Sequence, residues 1–179
     1  MIVIGLQDVV VLIPLAAAWL REARTDFGID LDIETHLNDM QEYMNSDKAD
    51  VLALQTDDGK IVGYMGIRSF PNPLGRGFDA YEHLMFVHPD YRGMGAVRLI
   101  RAAENWAKYH GCNHLILNAS YMASAGCDRV CKLYEKMGYR PFEKSYIRAM
   151  ENNDGMLRKE QGFQRVGHDY QDARTAEVH

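Results

Sequence analysis

Apolar positions along this chain recur with two different periods, and the change of period separates helices from strands. Helical spacing marks four segments. They run from residue 8 to about 24, from a cap at Asp30 or Asp32 to about 46, from about 95 to 110, and from 126 to 137. Short runs rich in branched and aromatic residues predict strands over residues 1–6, 51–56, 61–70, 78–88 and 114–119, with one or two more within 139–150.

The order of these elements, β-α-α-β-β-β-α-β-α-β, indicates the fold class. Asp57-Asp58-Gly59-Lys60 predicts a tight hairpin turn between two of the strands. A strand–helix–strand crossover follows later in the chain. The pattern therefore predicts an α/β (α+β) fold with a mixed, mostly antiparallel central sheet and helices on both faces. No linker interrupts residues 1–150, which we expect to form one domain.

Residues 151–179 read as a polar, turn-rich tail. Within it, residues 157–166 resemble residues 133–142, since both read as a helix end, a glycine stop and a strand. This similarity is explained equally well by chance and by an ordered tail. An ordered tail would form a short helix and a strand that cover a sheet edge or pair with a second subunit, which leaves a homodimer open.

Composition and charge narrow the classes of function. The chain has 179 residues, a formal net charge of −5 and no basic block, so the signature of a nucleic-acid binder is missing. The acidic balance mildly favours a cationic partner. The apolar run from residue 9 to 20 is too short to span a bilayer, and no Lys or Arg precedes it as in a signal peptide. We expect no membrane association.

The three cysteines, Cys112, Cys127 and Cys131, argue against a disulfide framework and for a reducing compartment, the cytoplasm. His110 and His114 lie near them in sequence, but no zinc-type ligand spacing is present. We expect free thiols and no metal.

The strongest chemical signal is a glycine-containing turn between a strand and a helix. The strand ends at Val87-His88-Pro89, and Arg92-Gly93-Met94-Gly95 leads into the helix. Glycines allow a tight turn, successive N–H groups form a nest, and the helix start adds free donors and partial positive charge. The turn predicts an anion site. It is neither a Walker A loop, which needs Gly-Lys-Ser/Thr, nor a dinucleotide fingerprint, which needs a third glycine.

The run Val-x-Pro-x-Tyr-Arg-Gly-x-Gly, from Val87 to Gly95, resembles motif A of the GNAT family of N-acetyltransferases. The element order over residues 1–150 resembles that family as well. The resemblance implies a GNAT-like acyl-CoA N-acyltransferase fold with acetyl-CoA as co-substrate and an amine-bearing acceptor. The alternative is a GNAT-fold binding or assembly module that has lost catalysis.

The resemblance also implies which residues bind the cofactor. The main chain of the strand before the turn would pair with the pantetheine arm, through Met85, Phe86 and Val87. The sheet would open between Phe86 and Leu117 to admit it. Backbone N–H groups of the turn, with added charge from its arginines, would hold the pyrophosphate; this set is Arg92, Gly93, Met94, Gly95, Ala96, Val97 and Arg98. Val97 departs from the family's small residue, and it would either crowd the phosphates or point at the sheet.

For catalysis, the resemblance implies that Tyr134 protonates the departing thiolate. Glu82 and His83 are the candidate bases, and strand alternation places them on opposite faces of the sheet. Asn118, where some relatives carry a base, cannot take a proton but could orient a water. Cys127 stands where the family often has a cofactor-contacting Asn.

Family acceptor pockets are built mainly from the first two helices and the loop after the hairpin, here about residues 19–44 and 69–78. Four acidic residues fall there: Asp26, Asp30, Asp32 and Glu34. They would attract a cationic amine or merely complement the start of a helix. The identity of the acceptor stays open: a small amine, an aminoacyl group, a protein amine or a modified base.

Overall fold

A computed structural model describes residues 1–23, 27–122 and 126–148. Over these residues, five strands form one sheet, and four α-helices and two short 3-10 helices accompany it. The strands are β1 (Ile2–Gly5), β2 (Ala49–Gln55), β3 (Ile61–Pro71), β4 (Phe78–Val87) and β5 (Cys112–Ile116). The α-helices are α1 (Ile13–Glu22), α2 (Ile33–Met44), α3 (Met94–Tyr109) and α4 (Cys127–Lys136), and the 3-10 helices are Val9–Leu12 and Pro89–Tyr91.

The strands follow one another across the sheet in chain order, β1-β2-β3-β4-β5. The first four are antiparallel, and β5 runs parallel to β4 after the α3 crossover. The predicted mixed, mostly antiparallel sheet is confirmed. None of the described helices combines the length and apolarity that a bilayer span requires.

Helices cover both faces of the sheet, and each face has its own hydrophobic core. On one face, Leu99, Ile100 and Ala103 of α3 and Tyr134 of α4 pack with Leu54 of β2 and its neighbours. The other face packs residues of α1 and α2 against the strands; its buried members include Leu15, Met40, Tyr43, Tyr64 and Phe86. Alternation along the strands supplies apolar side chains to both sides, as expected for a sheet buried on both faces.

Local sequence signals set the starts of the first two helices. The Asp8 carboxylate accepts a hydrogen bond from Val10 N at 2.9 Å, and Pro14 lies in the first turn of α1, so the segment begins as a 3-10 turn. Asp32 caps α2 through a 2.6 Å bond from Thr35 N. Of the two candidate caps, Asp32 rather than Asp30 is therefore the one used.

Two predicted strands differ from the structure. β5 ends at Ile116 instead of residue 119, because Asn118 bonds to side chain and main chain of Glu82 rather than continuing the ladder. The strand expected from residue 139 is not formed in the described part, 139–148. Its side chains from Arg140 onward are exposed, and Pro141 has no N–H for a ladder. The tail predicted for residues 151–179 lies outside the described residues.

Candidate active site

The sheet opens between its two parallel strands. β4 and β5 pair from Phe78↔Cys112 to Tyr81↔Ile116, and β4 then continues over residues 82–87, paired with β3 but with no strand on its β5 side. We call this opening the fork. Because His88 N donates to Val62 O at 2.9 Å and the Phe86 carbonyl lies against Gly63, the main-chain groups of Met85 and Val87 point to the open edge. An extended ligand can therefore bond there as an added strand would.

Because main-chain groups alternate in direction along β4, the three residues expected to bind pantetheine do not all face the open edge. Main-chain groups of Phe86 face Tyr64 on β3, so the open edge is provided by Met85 and Val87. The Val87 carbonyl already accepts a 3.0 Å bond from Arg92 Nε. The Phe86 side chain is buried in the core on the α1–α2 face.

The turn after β4 delivers free amides at the start of α3. Gly93 is the N-cap with φ 80° and ψ −102°, a left-handed conformation that favours glycine. Val97 N donates to Gly93 O at 3.1 Å, so the N–H groups of Met94, Gly95 and Ala96 precede the first helical bond and are free. The free N–H donors are therefore fewer than the sequence suggested, because the N–H groups of Val97 and Arg98 donate within the helix.

Gly95 is glycine for a packing reason. A Cβ there would lie 2.8 Å from Leu54 Cδ2 and 3.3 Å from Val87 Cγ1. The absence of a side chain lets the start of α3 lie directly on the sheet, at the end of the open β4 edge. Gly93, in contrast, has open space around it and is needed for its dihedral angles.

The side chains flanking this turn are already engaged. Val97 is half-buried and lines a cavity of about 460 Å³ together with β1. Arg98 donates to the Met1 carbonyl, and Arg92 forms an ion pair with Glu22 at the end of α1. Both arginines keep positive charge near the free amides while they tie neighbouring segments together.

At the fork, Asn118 uses all four of its polar groups. Its main-chain N–H donates to Glu82 Oε2 at 2.7 Å, and its Nδ2 donates to the Glu82 carbonyl at 2.5 Å. The Tyr81 hydroxyl donates to Asn118 Oδ1 at 3.0 Å, and the Tyr134 hydroxyl donates to the Asn118 carbonyl at 3.1 Å. Asn118 therefore links β4 to α4 where the sheet ladder has stopped.

Glu82 is a buried carboxyl, 2% exposed, on the face that carries α3 and α4. Burial raises its pKa from 4.5 to about 7, and the hydrogen bonds from Asn118 act in the opposite direction. A carboxyl with such a pKa exchanges a proton readily at neutral pH, as a general base must.

Tyr134 is 7% exposed and packs within the same core. Burial raises its pKa above the ordinary value of a phenol, and nearby Glu82 adds to the effect. The hydroxyl therefore stays protonated at neutral pH, but it is a weaker acid than the free phenol that the sequence suggested. To protonate a ligand, it must exchange its bond to the Asn118 carbonyl for one to that ligand.

His83 lies away from this cluster, on the opposite face as strand alternation predicts. A register shift between Gly66 and Ile67 of β3 leaves His83 without a paired residue. Its Nε2 is 2.7 Å from Asp39 Oδ2 on α2, and its ring lies 5.4 Å from that of Tyr43. The two candidate bases thus serve different sides of the sheet.

On the His83 side, a cavity of about 390 Å³ lies between α1, α2 and β4. Its lining combines an aromatic ring, apolar side chains, acids and two histidines: Trp19, Ile29, Leu31, Asp30, Asp32, Asp39, Thr35, His36 and His83. We call it the α2 pocket. His36 is 8% exposed and shares a 2.8 Å hydrogen bond with the Tyr64 hydroxyl, and burial lowers its pKa. Asp32 is committed to capping α2 and Asp39 is paired with His83, so Asp30 and the Asp39–His83 pair are the charged groups left to meet a ligand.

The expected acceptor region, residues 19–44, contains Trp19, His36 and Asp39, but the sequence singled out only its acids near the start of α2. His36 and Asp39 are three residues apart on a predicted helix, which places them on one face, and that spacing was the available signal. Their meeting with His83 depends on the packing of α2 against β4, which no local pattern reveals. Cys127 is buried, and its Sγ lies 3.3 Å from the Ala119 carbonyl; all three cysteines are free.

Taken together, a mixed sheet forked between parallel strands and a helix with free amides at the end of the open strand define an acyltransferase-type α/β domain. Comparison with known proteins agrees. The family model described as the acetyltransferase (GNAT) family matches residues 16–139. The chain is therefore a member of the GNAT family of acetyltransferases.

Individual relatives have related activities. The aminoglycoside N(6')-acetyltransferase type 1 of Klebsiella aerogenes is 28% identical over 116 residues, 62% of this chain and 76% of the relative. A ribosomal-protein-alanine N-acetyltransferase from Brucella melitensis biovar Abortus 2308 has a TM-score of 0.64 at 23% identity, covering 84% of this chain and 100% of that one. AAC(6')-Iy, solved with a CoA bisubstrate analogue, has a TM-score of 0.60 at 18% identity, covering 83% and 96%. The two structures show a shared fold.

Proposed function

We propose that this protein is an acetyl-CoA-dependent N-acetyltransferase that acts on a primary amine of a cationic acceptor. The observation that carries the proposal is the fork, where the open β4 edge, the free amides of α3 and the Glu82–Asn118–Tyr134 cluster follow one another. This arrangement offers, in order, donors and acceptors for an amide-containing arm, a cradle for a pyrophosphate, and titratable groups at the point of bond exchange.

Acetyl-CoA would bind along the open edge. Its pantetheine amides would pair with Met85 and Val87, and its pyrophosphate would meet the N–H groups of Gly93, Met94, Gly95 and Ala96. The guanidinium groups of Arg92 and Arg98 belong to residues that flank these amides, and their positive charge would strengthen anion binding. Val97 lines the cavity at β1, which leaves the amides of the turn accessible.

In the reaction, the neutral amine attacks the thioester carbonyl, so a C–N bond forms and the C–S bond breaks. The amine loses one proton, and we assign its acceptor as Glu82, whose pKa of about 7 suits that role. The thiolate gains a proton from Tyr134, whose hydroxyl lies on the other side of Asn118. His83 is the second candidate base, because it borders the α2 pocket.

The acceptor would enter through the α2 pocket on the His83 side, and its amine would reach Glu82 through the fork, where β4 has no strand on its β5 side. Asp30 and Asp39 supply negative charge, and Trp19 supplies a flat apolar wall. The pocket thus suits a compact acceptor with ammonium groups, a chemistry in keeping with the aminoglycoside relative. The three free thiols favour the cytoplasm as the compartment in which this reaction occurs.

Titration calorimetry with acetyl-CoA tests the cofactor part, and release of CoA with a panel of amines and amino sugars tests the transfer. We expect saturable binding and amine-dependent CoA release; absence of binding at millimolar acetyl-CoA would rule the proposal out. Tyr134→Phe is expected to lower kcat by about a hundredfold without weakening CoA binding. Tyr139→Phe, which removes a hydroxyl bonded to Glu104, is the matched control.

The acceptor pocket has a separate test. Asp39→Asn is expected to raise the KM for a cationic acceptor about tenfold and to leave the KM for acetyl-CoA unchanged. Glu42→Gln, which removes an exposed carboxylate from the same helix outside the pocket, is the control. Equal acceptor KM values for the Asp39 variant and the control would remove Asp39 from acceptor binding.

A second candidate, a GNAT-fold module that binds without turnover, is favoured by one observation. The Tyr134 hydroxyl is committed to the Asn118 carbonyl and has a raised pKa, which weakens it as an acid. This candidate predicts CoA binding without CoA release for every amine of the panel, so the same two assays separate it from the enzyme.

A further inference from the structure

Asn118 occupies the position where the hydrogen bonds between β4 and β5 pass from main chain to side chains. After a register shift between Phe78 and Asp79, the two strands pair residue by residue in parallel up to Tyr81↔Ile116. Two residues later, the Asn118 N–H meets a carboxylate oxygen of Glu82, and the Asn118 side-chain amide meets the Glu82 carbonyl. Parting strands would leave these buried groups unpaired, and Asn118 satisfies them.

The carboxyl and the phenol that we assign to proton transfer are both held by this one residue. Glu82 binds its N–H at 2.7 Å, and Tyr134 binds its carbonyl at 3.1 Å. The Asn118 side chain is itself fixed at both ends, by Tyr81 on Oδ1 and by the Glu82 carbonyl on Nδ2. Rotation of the main chain at residue 118 would therefore move both assigned groups away from their partners.

We propose that Asn118 is a positioning residue for acetyl transfer, whose side-chain amide locks the fork so that its main chain holds the Glu82 carboxyl and the Tyr134 hydroxyl on the same reacting centre. The catalytic part of this inference rests on the proposed function. The structural part, control of the Glu82 carboxyl by the Asn118 amide, is independent of the proposed function.

The titratable groups around Glu82 allow the ionisation of its carboxyl to be followed without interference near neutral pH. Tyr134 of α4 and Tyr43 of α2 are near enough to sense its charge, and burial raises the pKa of both phenols, so neither titrates at neutral pH. Arg68 lies over the Tyr43 ring, 4.5 Å from its centroid, and His83 is paired with Asp39 on the other face. The hydrogen bonds that act directly on the carboxyl come from Asn118, and they lower its pKa.

Asn118→Asp is the informative variant, because it keeps the size of the side chain, replaces the Nδ2 donor by an acceptor and adds negative charge. We expect the acidic limb of the kcat/KM–pH profile to move up by about one pH unit, kcat to fall about tenfold or more, and the KM for acetyl-CoA to change less than about twofold. Asn113→Asp is the matched control. Asn113 lies on β5, five residues before Asn118, and its Nδ2 donates to the Arg76 carbonyl at 3.0 Å, outside the fork.

A second readout needs no turnover. The Glu82 carboxyl is titrated by carbon-13 NMR, with Glu82→Gln used to assign its resonance. An upward shift of the Glu82 midpoint in Asn118→Asp, absent in Asn113→Asp, supports the positioning role even for a protein that shows no transferase activity. Unchanged midpoints in both variants overturn the inference, as does an activity loss that leaves the pH profile in place. If Asn118→Asp does not fold, Asn118→Ala is measured instead: a kcat lowered about tenfold supports the role, and an unchanged kcat overturns it.

Discussion

Replacing Glu82 by glutamine removes a buried carboxyl whose charge is costly in the folded state. Its pKa lies at about 7 in the native protein and near 4.5 when exposed, so the native state binds the proton more tightly. Stability therefore falls as pH rises between these two values and levels off above pH 7. Each pH unit is worth about 1.4 kcal/mol, so the wild type should lose about 3 kcal/mol relative to Glu82→Gln between pH 4.5 and pH 8.

Urea unfolding of both proteins at several pH values measures this difference directly. Glu42→Gln is the control, because Glu42 is exposed on α2 and its replacement should give a nearly constant difference from wild type. The Glu82→Gln difference should grow steadily in favour of the variant and flatten above pH 7. A change below about 1 kcal/mol over the window would refute the view that burial dominates at Glu82.

Two further predictions concern packing and buried polar contacts. Gly95→Ala places a methyl 2.8 Å from Leu54 Cδ2 in the core, so we expect the free energy of unfolding to fall by about 1–3 kcal/mol, measured by heat or urea. Gly126→Ala, which has open space around it, should be nearly neutral and serves as the control. Equal losses of stability in the two variants would contradict the packing argument. Tyr64→Phe leaves the buried His36 Nε2 without its partner and should cost about 1–3 kcal/mol, whereas Tyr109→Phe, on an exposed side chain, should change stability by less than about 0.5 kcal/mol.

Local sequence signals were sufficient for most of the fold. Hydrophobic periods located the four described α-helices and the five strands to within a few residues, because burial of one face or of alternate residues is encoded in each segment. Gly93 could be predicted as a turn residue from its type alone, whereas residue type left Asp30 and Asp32 both open as the cap of α2. The strand expected from residue 139 failed because alternation without a partner strand is not enough to form a ladder.

The glycine turn could be located from sequence, but the separate reasons for its two glycines could not. Gly93 is required by its positive φ, which is a local property. Gly95 is required because Leu54, forty-one residues earlier, lies under the helix. A contact between distant segments leaves no trace in the local pattern.

The sequence by itself determined the class of fold and the position of the glycine turn, and through the family resemblance it predicted Tyr134, Glu82 and His83 as candidates for proton transfer. Only the tertiary structure placed Asn118 between Glu82 and Tyr134 and paired His83 with Asp39 on the α2 side of the sheet. The physical reason is that secondary structure depends on neighbours within a few residues, whereas hydrogen-bond partners and pKa values depend on which groups burial brings together from remote parts of the chain.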